Sequence, residues 1–354
     1  MLSKHNISAA IRPMLLLWVA SFALFACSKP VIDPVDSEDK QEIKFGSVST
    51  RADIFSGDEE FGVWTAVSSD EYLINDEALS YYPWMTNERV YNDGERWTYD
   101  NTSYWLSNSM FYFFAAYPYY YDDLFVETTR ESQNDVMYTV YSLDVTADGS
   151  AGTKDILVAS AVIDTGDDVF DAEDPVELNF NHLLTKINLT VSQNFDIDPD
   201  FNYYVTAVTL TGVTGNGTYM VLPYGDNIIT AWTNTTDVEI VKTFSDPVLL
   251  RDQYAADPKV ELKIWGQNGL MLIPQTVTNG GVQIRVDYLY DVDLDDEDKG
   301  TPKFVEGFIP ATEWQSNKSV TYSLSIANTS NIIFSKPSIE PWGAPQTGGT
   351  MIIK

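Results

Sequence analysis

The sequence has few of the residues on which enzymes and metalloproteins most often depend. Among 354 residues there is one cysteine, Cys27, and there are two histidines, His5 and His182. A single cysteine excludes an intramolecular disulfide and any metal site built from several thiolates. Phosphate-binding GxxxxGK[ST] loops and GxSxG serine elbows are also absent. We therefore expect no cofactor and no enzymatic activity.

Basic residues are scarce as well. The chain has 21 Lys and Arg residues against 52 Asp and Glu residues, which gives a net charge of −31. Phosphate backbones would repel such a surface, so the composition excludes nucleic acid as a partner. We interpret the charge as favouring solubility at a crowded cell exterior.

The N-terminus has the pattern of a bacterial secretion signal. Lys4 and Arg12 precede the twelve-residue apolar run Met14–Phe25, which is too short to cross a bilayer of about 30 Å as a helix. Leu24-Phe25-Ala26-Cys27 resembles a lipobox, in which the cysteine becomes the lipidated first residue. The sequence therefore predicts a signal peptide over 1–26 and an anchor to the outer membrane through Cys27.

The rest of the chain predicts an all-β protein. Residues 27–42 form an acidic, proline-containing tether, and after them apolar residues recur mostly with a period of two. About seven short strands in each half, separated by Gly, Asn, Asp and Pro, indicate two tandem β-sandwich domains. We place these domains at 43–181 and 182–354, since the phase of alternation changes around His182.

Several strand predictions are specific. Met110–Tyr117 is apolar on both faces and so belongs in the middle of a sheet. Tyr203–Leu210 and Gly217–Val221 are predicted as separate strands with a glycine-containing turn between them. Inward rows are predicted along three other strands, at Ile187, Leu189 and Val191; at Val282, Ile284, Val286, Tyr288 and Tyr290; and at Val320, Tyr322, Leu324 and Ile326.

A series of short motifs carries a family resemblance from Ile43 to the C-terminus. In chain order these are Ile43-Lys44-Phe45, Thr50-Arg51-Ala52, Phe61-Gly62-Val63-Trp64, Phe113–Pro118, Lys154–Ala159, Phe180–Ile187, Leu272–Gln275 and Ile333–Trp342. Their order and spacing resemble the fimbrillin family, the subunits of type V pili of Gram-negative anaerobes.

The resemblance implies how such a subunit is made and assembled. It implies transthyretin-like sandwiches and export as a surface lipoprotein. An arginine-specific protease then cuts near the start of the first domain, and a neighbour's C-terminal segment fills the groove left by the lost strand. In this chain the cut would fall between Arg51 and Ala52, among small residues typical of an exposed loop. The released strand would carry Ile43 and Phe45.

The C-terminus supplies the candidate donor for that groove. The apolar residues of the segment 332–354 that could enter a neighbour are Ile339, Trp342, Met351, Ile352 and Ile353. Alternatively, the tail is the final strand of its own domain and Trp342 packs in its core. For Arg51, the alternative is a solvated loop arginine.

The sequence thus predicts a structural pilus subunit that supports adhesion and biofilm formation, with a stalk role slightly favoured over a tip role. Its partners would be other pilus subunits, an arginine-specific protease and a surface ligand that the sequence does not identify. One alternative is a monomeric carbohydrate-binding surface lipoprotein that uses the aromatic clusters Tyr81–Trp84 and Tyr117–Tyr121. A third hypothesis is a glycosidase that uses a pair of carboxylates, which the sequence does not identify.

Two further features have mainly structural interpretations. His182 is expected to be a hydrogen-bonded structural residue rather than a catalytic base. The acidic run Asp291–Asp298 is expected to be a solvated hairpin loop, with Ca²⁺ binding as the alternative. Asp296 stands where an EF-hand loop needs glycine.

Overall fold

In this computed structural model, the described segments whose apolar residues recur with a period of two form β-strands. This confirms the all-β prediction. The structure describes residues 40–46, 49–50, 60–69, 81–119, 126–133, 136–147, 149, 155–252, 254, 257, 259–291, 300–327 and 332–343. The chain separates into two units, Met1–Lys40 and Gln41–Lys354, and every described strand belongs to the second. The described residues include no helix that is long and apolar enough to span a bilayer. The predicted signal peptide, Cys27 and nearly all of the tether lie outside the described residues.

Twenty-one strands occur in the described residues. Those of the first half are β1 Ser49–Thr50, β2 Glu60–Ser69, β3 Tyr82–Asn92, β4 Trp97–Tyr99, β5 Ser109–Tyr117, β6 Val126–Gln133, β7 Val136–Thr146, β8 Leu157–Asp164 and β9 Asn179–His182. Those of the second half are β10 Thr185–Gln193, β11 Asn202–Tyr224, β12 Asn227–Leu249, β13 Leu262–Lys263, β14 Leu270–Leu272, β15 Gln275–Val277, β16 Gln283–Asp291, β17 Thr301–Phe308, β18 Thr312–Trp314, β19 Lys318–Ile326, β20 Ile333–Phe334 and β21 Ser338–Pro341.

The first half is built on a seven-stranded sheet with the order β1-β9-β8-β5-β2-β3-β4. Strand β5 lies at its centre, as predicted, and it is buried on both faces. Phe113 faces a core with Phe61, Val176 and Phe180. On the opposite face, Phe114 packs in a second cluster that includes side chains of β7 and β11. A strand covered on both sides needs apolar residues at successive positions, which explains the continuous apolar run.

The second half buries the predicted inward rows in one core between two sheets. One sheet has the order β13-β10-β19-β20, with β14 also paired to β10 and β21 to β19. The other has the order β17-β16-β11-β7-β6, with β12 also paired to β11. The rows of β10, β16 and β19 meet there, and the indole N–H of Trp314 donates to the Tyr322 hydroxyl at 2.9 Å. The short pair β15-β18 completes the described sheets.

The prediction of two strands at 203–210 and 217–221 is wrong, since both belong to the 23-residue strand β11. The glycines between them accommodate irregular pairing rather than a turn, because the register shifts around Gly212, Gly215 and Gly217. Strand β11 pairs with β16 along its first part and with β7 along its last part, so one sheet contains strands from both predicted domains. The division at 181/182 stays a prediction.

We predict that Gly212→Ala destabilises the protein more than Gly280→Ala. Both glycines have positive φ, 81° and 76°, so both substitutions strain the backbone by about 1–2 kcal/mol. At Gly212 a Cβ atom would also lie 2.5 Å from the carbonyl oxygen of Gly281, whereas at Gly280 it would meet nothing within 4 Å. The clash adds roughly 1–3 kcal/mol. Urea denaturation measures both, and equal losses would contradict a close approach at the β11 bulge.

Candidate assembly site

The leading segment, which we define as residues 41–46 with β1, is inserted into the first core. Ile43 is 0% exposed and Phe45 is 5% exposed. The Phe45 ring meets Tyr99 and Phe113 edge-on, with centroid distances of 5.6 and 6.2 Å. The first residues of a domain are usually poorly ordered unless they are tied down, and these two side chains provide that attachment.

The main chain of the leading segment is paired on both sides. It runs antiparallel to Trp97 and Tyr104 and parallel to Val176. Four hydrogen bonds hold it: Ile43 N–H to Ser103 O at 2.9 Å, Trp105 N–H to Gln41 O at 3.0 Å, Gly46 N–H to Val176 O at 3.0 Å, and Val176 N–H to Lys44 O at 2.7 Å. The segment therefore fills a slot between two lengths of main chain rather than lying along one edge.

Side chains around the slot add further contacts. The Tyr99 hydroxyl donates to the carbonyl oxygen of Ile43 at 2.7 Å, and burial raises the pKa of Tyr99 to about 12, so this donor stays protonated at neutral pH. At Gly46 a Cβ atom would lie 2.9 Å from the Pro175 ring, so the backbone approaches its neighbour closely. Lys44 pairs with Glu173 where both are partly exposed, and such pairs add little to stability.

A second paired stretch, Ser49–Thr50, ends directly before Arg51. Ser49 and Thr50 form β1 and pair in parallel with Asn179 and Phe180. The expectation that these two residues lie in an exposed loop is therefore wrong, because the strand extends through Thr50. Arg51 and Ala52 lie outside the described residues. A cut directly after Arg51 would separate the whole leading segment from the rest of the chain.

The C-terminal tail, where it is described, lies on its own chain. Strands β20 and β21 both pair antiparallel with β19. Ile339 is 50% exposed, so it is not a core residue, whereas Trp342 is 8% exposed and packs with Leu183, Leu184 and Ile273. The tail thus has the arrangement of a native final strand with a buried tryptophan. Met351, Ile352 and Ile353 lie outside the described residues.

His182 has the contacts expected of a structural histidine. Its ring stacks on Trp342 with a centroid distance of 3.9 Å and an interplanar angle of 3°. Its Nδ1 lies 2.8 Å from Oδ1 of Asp155. With one face on an indole and one nitrogen on a carboxylate, the ring helps to fix the end of β21 against the junction between the two halves.

The aromatic clusters and the acidic run have structural contacts where the structure describes them. Tyr81 is buried and accepts a hydrogen bond from Gly225 N–H at 3.0 Å, while Trp84 and Tyr117 pack against the first core. Of the acidic run, the backbone of Asp291 closes β16 and residues 292–298 lie outside the description. No three His, Cys, Asp or Glu side chains of the described part group into a possible metal site.

Sequence reasoning missed the partners of the leading segment. Tyr99, Ser103 and Trp105 line one side of the slot and Val176 lines the other, far from Ile43 in the sequence. The aromatic residues near position 100 indicate core positions, but no spacing rule connects them to residues about 55 positions earlier.

The fold is that of an all-β sandwich protein. In this sandwich, the first residues of the folded unit are inserted into the core as an extended segment. Residues 50–342 match the family model described as fimbrillin-like, and the chain belongs to that family. This confirms the resemblance drawn from its motifs. No curated protein matches the sequence.

Two solved structures illustrate the similarity. A fimbrial protein from Bacteroides vulgatus ATCC 8482 has 16% identity and a TM-score of 0.57, with 85% of this chain and 99% of that chain covered. A candidate cell adhesion protein from Bacteroides uniformis ATCC 8492 has 17% identity and a TM-score of 0.46, with 86% and 99% covered. At such identity the first of these similarities supports the fold alone.

We predict that Phe45→Ala lowers the free energy of unfolding by about 3–5 kcal/mol, because it leaves a cavity beside Tyr99 and Phe113. The control is Lys44→Ala, since the neighbouring lysine side chain is partly exposed and should cost less than about 1 kcal/mol. Denaturant titration of the uncleaved protein measures both. Equal, small effects would show that the leading segment is not part of the cooperative core.

Proposed function

We propose that this protein is a structural subunit of a cell-surface pilus that supports adhesion. The observation that carries the proposal is the leading segment. It contributes two core side chains and pairs on both sides, yet it ends one residue before the predicted protease site at Arg51–Ala52. A segment so placed can be removed by a single cut while the rest of the sandwich stays connected.

Removal of the segment would leave a groove that needs a replacement. The loss of Ile43 and Phe45 uncovers apolar surface worth about 3–6 kcal/mol of burial. It also leaves two donors, Trp105 N–H and Val176 N–H, without their acceptors, which are Gln41 O and Lys44 O. An extended segment from another subunit would restore both the apolar contacts and the main-chain pairing by β-augmentation. Assembly by strand exchange follows from this.

For the donor, the packing favours residues after Trp342. Donation of Ile339 and Trp342 would require β21 to leave β19 and Trp342 to leave His182. Met351, Ile352 and Ile353 carry apolar side chains beyond that buried anchor and could reach a neighbour while β21 stays in place. A tail that can donate in this way favours a stalk subunit over a tip subunit.

The N-terminal region gives the subunit a route to the cell surface. Lipidation at Cys27 would anchor the unprocessed chain to the outer membrane, with the acidic tether 27–42 between the lipid and the sandwich. A cut by an arginine-specific protease would then free the subunit from its anchor and open its groove in one step. The protein's role in this scheme is structural and non-enzymatic.

We predict that Arg51→Gln blocks assembly whereas Arg96→Gln does not. Arg96 is an exposed arginine in the turn before β4, so it is a matched charge change away from the segment. After treatment with an arginine-specific protease, the unsubstituted protein and Arg96→Gln should form SDS-stable ladders and filaments visible by electron microscopy. Arg51→Gln should remain monomeric with an intact N-terminus. Filaments from Arg51→Gln, or only monomers from the cleaved unsubstituted protein, would contradict the proposal.

A further inference from the structure

A polar cavity of about 410 Å³ lies on the outer face of the sheet that contains β10 and β19. Strand alternation explains its chemistry. Ile187 and Val320 point into the core, so Lys186, Asn188 and Thr321 are presented on the opposite face. The floor is therefore lined by amine, amide and hydroxyl groups.

Two walls enclose this floor. The turn that follows β13 contributes Trp265 and closes against the floor, because a Cβ atom at Gly269 would lie 2.7 Å from Oδ1 of Asn188. On the other side, β21 contributes Glu340, and the buried Trp342 that follows it closes the wall. The cavity thus combines the partly buried indole of Trp265 with several hydrogen-bonding groups, a composition that suits the ring face and hydroxyls of a sugar.

The floor is also pre-arranged for hydrogen bonding. Asn188 Nδ2 donates to the hydroxyl oxygens of Ser319 at 2.9 Å and Thr321 at 3.3 Å. These bonds leave the hydroxyl hydrogens available to other acceptors, since a hydroxyl that accepts can still donate. A row of side chains held in this way recognises a ligand without first having to become ordered.

Two ammonium groups converge at one end of the cavity. Lys186 Nζ donates to the carbonyl oxygen of Gln267 at 3.1 Å, and Lys263 Nζ donates to Oε1 of the same residue at 3.2 Å. Two basic residues are thus neighbours in a chain that has only 21 basic residues and 52 acidic ones. Burial lowers the pKa of Lys186; the Asp155 carboxylate opposes this shift, and Lys263 adds to it by a smaller amount. A ligand carboxylate placed beside both amines could accept charge-assisted hydrogen bonds from each of them.

We propose that this cavity binds a carboxylate-bearing saccharide. The sugar carboxylate pairs with Lys186 and Lys263, the ring lies against Trp265, and the ring hydroxyls bond to Asn188 and Thr321. Glu340 accepts hydrogen bonds from hydroxyls at the far side of the cavity. The site is built entirely from the second half of the chain and requires neither cleavage nor polymerisation, so it stands apart from the proposed assembly.

The test measures binding to the uncleaved monomer by isothermal titration calorimetry. The probes are trigalacturonic acid, a hyaluronan tetrasaccharide and sialyllactose, with methyl-esterified trigalacturonate and lactose as uncharged controls. Trigalacturonic acid or sialyllactose should bind about tenfold or more tightly than its uncharged counterpart, since a carboxylate accepts charge-assisted hydrogen bonds from both ammonium groups. Failure of all three acids, or equal binding of the acidic and uncharged forms, would overturn the proposal.

Variants locate the binding in the cavity. Lys186→Gln and Lys263→Gln should each weaken the acidic probe roughly tenfold and leave the uncharged probe unchanged, while Trp265→Ala should weaken both. Lys259→Gln removes the same charge from an exposed lysine outside the cavity and should have no effect. Circular dichroism checks that each variant is folded. If Lys259→Gln weakens binding as much as Lys186→Gln does, the attraction is general and the proposed site is wrong.

Discussion

Main-chain pairing on both sides holds residues 41–46 of the leading segment in the first sandwich. Its backbone bridges Ser103 and Val176, and Ile43 and Phe45 complete the core beneath it. Residues 41–46 come before the rest of the sandwich in sequence, yet they lie between two lengths of main chain and supply two side chains of its core. In the strand exchange that we propose, a replacement strand would have to restore the polar and the apolar contacts together.

Other contacts of the described residues link the two halves without involving that segment. Strand β11 pairs with strands of both halves, and the turn after it is tied to the first sheet through Gly225, which donates to Tyr81 and accepts from Tyr112. Trp342 and His182 fix the end of β21 at the junction between the halves. Loss of the leading segment would therefore open one groove, whereas loss of Trp342 would disturb the junction.

Much of this architecture could be predicted from local pattern. Burial on both faces placed β5 at the centre of its sheet, and alternation placed Ile187 and its neighbours in the core. The strand and turn rules failed at the bulges, because Gly212 in the middle of β11 has the sequence signature of a turn. The burial of Phe45 followed from its apolar character, but its partners Tyr99 and Val176 did not. Pairing between distant segments is decided by tertiary packing rather than by sequence spacing.

The most direct test of the account is amide hydrogen exchange at Trp105 and Val176, whose acceptors lie in the leading segment. In the uncleaved protein both amides should be protected. In the cleaved monomer, with the segment dissociated, they should exchange at least about tenfold faster, while the central Phe113 amide stays protected. In the assembled polymer both should be protected again. Unchanged exchange at Trp105 and Val176 after cleavage would contradict an opened groove and remove the basis for strand exchange.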